Sequence, residues 1–177
     1  WLSQEGALLG GYGSERPVGA ALICVRGRFL VKDPARVKDL KLSLRYRGGA
    51  VVYLNGEEIA RQHLPRGNLA PTTLAEDYPR EAFVTPDGEA LLPNFGQREP
   101  PAELRGRFES RWRGLAVNIP SERLVKGANV LAIGLHRTAI PPDLPIEGRG
   151  AWDTVGLVAV DLSAASDAGL ATGAELA

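Results

Sequence analysis

From Lys38 to Arg47 the chain alternates, with Leu40, Leu42, Leu44 and Tyr46 interleaved with Lys41, Ser43, Arg45 and Arg47. Successive side chains of a strand point to opposite faces, so this two-residue period predicts a strand with one face on a core and the other in water. A Gly48-Gly49 turn follows, then the apolar run Ala50 to Leu54, then Asn55-Gly56, then Glu57 to Arg61. Asn-Gly tolerates the positive φ angles that a type I′ turn requires, and between two such runs it predicts a tight β-hairpin.

The rest of the chain extends that pattern. Val130 to His136 and Thr154 to Leu162 are rich in β-branched and aliphatic residues and read as buried strands. The 21 glycines and 13 prolines fall between short apolar runs, and no long amphipathic helix is visible. The expected fold is therefore all-β, in one domain spanning 1–163 of the 177 residues. Between about 65 and 114 the periodicity fades while Pro, Gly, Asn and Arg accumulate, which predicts a variable insertion. From Ala164 to Ala177 the residues are small and polar and read as a tail or a linker.

Composition removes several function classes. The 21 basic residues balance 21 acidic ones, without the basic excess of a nucleic-acid footprint. No apolar run reaches the roughly 18 to 20 residues of a membrane-spanning helix. Cys24 is the single cysteine, which excludes an intrachain disulfide and a thiolate metal cluster; between Ile23 and Val25 it reads as a buried structural thiol. A chain that opens on Trp1 and contains no methionine reads as processed, or as a piece of something longer.

Two segments carry a resemblance. Leu42 to Ile59, which holds Val52-Tyr53-Leu54-Asn55-Gly56, and Ile119 to Ile133, which holds Gly127-Ala128-Asn129-Val130-Leu131-Ala132, are similar to the galactose-binding-domain-like β-sandwiches. Such modules stand beside catalytic domains in β-galactosidase-type glycoside hydrolases and in large secreted bacterial proteins. Gly11-Tyr12-Gly13, Arg28 to Val31, Arg61 and Leu64 to Gly67 resemble neighbouring parts of that family, while 72–114 is unmatched. The resemblance implies a jelly-roll β-sandwich of two antiparallel sheets, an extracellular or periplasmic setting and an accessory role in a larger protein. Relatives often hold a structural calcium ion near the chain ends, yet no Asp-rich ligand loop occurs here, so only backbone carbonyls would build such a site. Relatives also carry acids before the first hairpin glycine where this chain has Arg45 and Arg47. Within the second segment, Gly127 permits a tight turn and Asn129 can bond local backbone, so neither residue needs a ligand to explain it.

Catalytic candidates are thin. His63 follows the hairpin and His136 ends an apolar strand; no zinc-protease, nucleophile-elbow or phosphate-loop motif is present, and Gly10 to Gly13 lacks the Lys-Ser/Thr of a P-loop. Glu57 and Glu58 point to opposite faces of a hairpin and cannot jointly flank a glycosidic bond, which leaves a hydrolase only a site assembled from Asp77, Glu81, Asp143 and Asp153. Binding has better candidates, because sugars are held by aromatic faces and planar hydrogen-bonding side chains. Trp112, flanked by Arg111 and Arg113, either presents such a face or packs in the core between solvated arginines. Trp152 and Asp153 follow a Pro- and Gly-rich loop. Arg45 and Arg47, with Lys41, form a basic stripe that meets an anionic glycan or a partner domain, or is merely solvated. The expectation is a non-catalytic carbohydrate-binding or accessory module with ligand residues Trp112, Trp152, Asp153, Arg45 and Arg47, no obligatory cofactor, and carbohydrate or a neighbouring domain as partner. The rival is a structural or interaction module, for which an exposed apolar patch at Phe83, Leu91, Leu92 and Phe95 would speak.

Overall fold

A computed structural model describes residues 4–9, 20–91, 100–144, 152–166 and 168–171, with backbone alone for 4–9. Its strands are β1 (Gln4–Leu9), β2 (Leu22–Val31), β3 (Leu40–Arg47), β4 (Gly49–Leu54), β5 (Glu57–Gln62), β6 (Arg113–Ile119), β7 (Gly127–His136) and β8 (Gly156–Ser163), with one helix, α1 (Ala102–Glu109). One four-stranded sheet has the order β1-β8-β3-β6 and the other β2-β7-β4-β5, with every pairing antiparallel. The first strand pairs with the last, the second with the seventh, the third with the sixth and the fourth with the fifth. That is a long hairpin rolled up on itself, and the jelly-roll β-sandwich implied by the resemblance is the fold of this chain.

Register explains the alternation. On β3, Leu40, Leu42, Leu44 and Tyr46 are buried against the facing sheet's Val52, Leu54, Ile133 and Leu135, while the intervening residues face out. The Asn55-Gly56 turn forms as expected, with φ of 52° and 90°. The Gly48-Gly49 turn is in fact a corner: β3 and β4 lie in different sheets, and Gly48 alone separates them. Gly48 has φ 89°, and a Cβ there would sit 2.1 Å from the His136 carbonyl oxygen, so glycine is required on two grounds.

Away from the corner, the hairpin and the second motif form a single device. Asn129, fully buried, accepts from the Val125 N–H and the Asn55 Nδ2–H at 2.9 Å each and donates to the Val125 carbonyl at 2.7 Å. Asn55 in turn accepts from the Val130 N–H at 2.9 Å and donates its own N–H to the Val130 carbonyl at 2.8 Å. The bonds expected of Asn129 are made, and they also clamp the β4–β5 turn onto the start of β7.

Two expectations need correction. Cys24 is exposed, because it occupies an outward position on the edge strand β2 together with Arg26 and Arg28. Residues 168–171 are not frayed: Leu170 bridges Val31, Gly169 accepts from Lys32 N–H at 2.7 Å, and Leu170 packs on the core. The described parts of the stretch from 65 to 114 pack on the module around two small cores, and the stretch runs into β6. Leu64 and Ala75 cover Val51 on the outer side of β4, and Tyr78, Ala82, Phe83 and Val84 pack with Leu144 and Trp152 over the corner end. Phe83 and Leu91 are buried there and form no exposed patch; Leu92, Phe95 and Gly11 to Gly13 lie outside the described residues.

Candidate functional site

Arg45 and Arg47 project from the outer face of β3, and Trp112 ends the connection from α1 into β6. β3 pairs with β6 so that Tyr46 lies opposite Arg113 and Arg45 opposite Gly114. Side chains alternate, which turns Arg113 toward the inner side and leaves Trp112 with the outward arginines. The Arg47 guanidinium lies 4.2 Å from the Trp112 ring centroid and that of Arg45 lies 5.0 Å away. Trp112 stays half-buried and Arg45 is exposed.

The stack continues inward. Arg47 also sits 5.4 Å from the Trp152 ring, Trp152 lies 4.9 Å from Arg111, and Arg111 lies 4.4 Å from Phe108. Three cations thus alternate with three aromatic rings from the interior of the cap to the outer sheet face, each contact worth about 0.5 to 2 kcal/mol depending on desolvation. Arg47 also donates to the Asp153 carbonyl at 3.3 Å.

Trp152 does not present a loop platform, which corrects that expectation. It is 1 % exposed, stacks on Phe83 at 5.0 Å, meets Tyr78 edge-on at 4.8 Å, and donates its indole N–H to the Ala82 carbonyl at 2.9 Å. A ring enclosed on these sides has no face left for a sugar. Asp153 stands beside it, half-buried, and serves the stack through its carbonyl.

The flanking arginines are not solvated. Arg111 is 1 % exposed and donates to the carbonyls of Ala82 at 2.9 Å and Leu91 at 3.1 Å, so it stitches the cap together. Burial, and secondarily the Arg47 charge, pushes its guanidinium down to about 9. Arg113 lies 4.0 Å from the Tyr78 ring and donates to the carbonyls of Gly48, Glu76 and Asp77. Tyr78 accepts from the Gly48 N–H at 2.8 Å and donates to the Arg111 carbonyl, anchoring the cap to the corner. Sequence reasoning missed Tyr78, Phe108 and the buried state of Arg111. The only signal available was the register of β6 against β3, a pairing between segments about 70 residues apart.

The potential acid–base groups are accounted for singly. His136 is buried and, since a carbonyl can only accept, donates from Nδ1 to the Thr73 carbonyl at 3.0 Å. His63 pairs with Glu76 at 2.9 Å. Asp143 is held by Arg80, and Asp77 and Glu81 are exposed. Among the described residues, no three His, Cys, Asp or Glu side chains gather into a metal-binding group, and no helix is long and apolar enough to cross a membrane.

No protein-family model matches the chain, and no curated protein matches it. Among solved structures, the chain is similar to one titled as a family 35 carbohydrate binding module from an environmental isolate. The likeness has a TM-score of 0.40 and 10% identity over 98% of this chain and 90% of that one.

Proposed function

We propose that this chain is a non-catalytic carbohydrate-binding module of a larger secreted protein, with its site on the outer face of the β1-β8-β3-β6 sheet. The observation that carries the reading is the half-buried Trp112 ring, held against Arg45 and Arg47 at the margin of that face. A ring whose orientation is fixed in advance loses little freedom on binding, and Trp112 is held where its connection enters β6. Beyond it the face is shallow: Gly114 and Ala116 on β6 and Ala159 on β8 flank β3 and leave room for a flat ligand. The exposed Asn118 amide and the half-exposed Ser43 hydroxyl supply donors and acceptors for sugar hydroxyls.

A glycan-array screen on the purified chain tests this reading. Selective binding that Trp112→Ala reduces at least tenfold, with an unchanged unfolding midpoint, is the expected result. Binding to no glycan would assign the chain instead to structural or protein-interaction duty, and undiminished binding by the variant would move the site away from Trp112.

A further inference from the structure

We infer that the glycan received on this sheet face is acidic, a polysaccharide carrying carboxylates or sulfates at wide intervals; the inference rests on the carbohydrate-binding reading above. Lys41 and Arg45 are both exposed on the outer side of β3, and among the described residues neither forms an ion pair. They stand four positions apart along the strand, roughly 13 Å. The floor between them is Ser43, with Ala116 on one side and Asp161 on the other.

Each element of this arrangement selects. Stacking on Trp112 fixes the plane of the Arg45 guanidinium, which leaves its N–H edge available for a two-pronged bond to a carboxylate or sulfate. Asp161, level with Ser43, repels an anion placed midway, so the face favours charges separated by a neutral stretch. Such spacing does not suit duplex nucleic acid, which carries a charge about every 1.7 Å along its axis. An acidic peptide adding as a strand would need a free backbone edge, and β3 is paired on both sides, by β6 and by β8. A polysaccharide with one acid in each repeat meets both requirements.

Affinity electrophoresis of the full chain through hyaluronate, which carries one carboxylate per disaccharide, through κ-carrageenan, which carries one sulfate per disaccharide, and through neutral mannan tests the inference. Retardation by an acidic polymer but not by mannan is expected, with Arg45→Gln weakening it about tenfold or more and Lys41→Gln weakening it further. Arg26→Gln with Arg28→Gln on the opposite sheet is expected to change nothing. Retardation by hyaluronate alone assigns carboxylate, and by κ-carrageenan alone assigns sulfate. Equal retardation by mannan, insensitive to Arg45→Gln, overturns the acidic specificity and leaves the carbohydrate reading standing; retardation by none of the three overturns this inference, and silence on a broad glycan array as well overturns the reading beneath it. An equal loss in the Arg26/Arg28 variant shows diffuse charge attraction and also overturns the proposal.

Discussion

The two ends of the sandwich are closed by opposite chemistry. At the Asn55 end, two short amides knit the β4–β5 turn to β7 through hydrogen bonds to neighbouring backbone. At the Gly48 end, long arginines and large rings stack across segments distant in the chain, from Phe108 to Arg45, above a small aromatic core. The first end is a compact clamp with little extra chain. The second draws in described residues of 76–91, 100–112, 137–144 and 152–155 and delivers Trp112 to the surface. A cap built this way does two jobs, sealing the core and orienting a surface ring.

The sharpest way to break the contrast is Trp152→Ala. It removes a buried ring that touches Phe83, Tyr78, Arg47 and Arg111 and is expected to destabilise the fold by about 3–5 kcal/mol in urea titration. It is also expected to weaken ligand binding through Arg47 and Trp112, even under conditions where the protein stays folded. Asn129→Ala strikes the other end. It leaves the Val125 N–H and carbonyl without their side-chain partner and is expected to cost about 1–3 kcal/mol, with no effect on ligand binding. If both variants weaken binding in proportion to lost stability, the cap has no separate orienting role.

How much of this was legible follows the same division. The hairpin, the alternation on β3 and the Asn129 turn could be read because each depends on residues within a few positions of one another. The Asn55–Asn129 clamp accounts for the two resembling segments occurring together: each supplies half of one hydrogen-bonded set. The stack could not be read, because its order depends on which strands are neighbours, and nothing local marks Arg111 as buried or Trp152 as enclosed. Trp112 and Trp152 look alike in sequence, each beside charged residues. The register of β6 and the packing of the 78–84 segment set them apart.

A smaller effect sharpens the contrast further. The Tyr46 hydroxyl is buried beneath the corner with no hydrogen-bond partner among the described residues, and burial raises its pKa well above the ordinary 10.0; burial raises that of Tyr78 as well. Above pH 10 the unfolded chain gives up these protons while the folded one keeps them. Their contribution is therefore complete below about pH 10 and is lost as pH rises beyond it. Tyr46→Phe is expected to be neutral or stabilising by up to about 1 kcal/mol near neutral pH and to flatten the alkaline fall in stability, as measured by urea midpoints from pH 8 to 11. A destabilised variant would reveal a hidden partner for the hydroxyl.

The rolled winding also sets a timetable for the chain's birth. β4 and β5 meet across two residues, whereas Gln4 on β1 must wait for Val160 on β8. At ribosomal speeds of roughly 5–20 residues per second, β1 stays without its partner strand for about 8 to 30 s after it is made. The central hairpin can assemble early, and the outermost pairing closes only when nearly the whole module has emerged. A module in tandem with others is most exposed to mispairing during that interval, when the β1 of one copy competes with the preceding copy's own β1 for the same place beside β8.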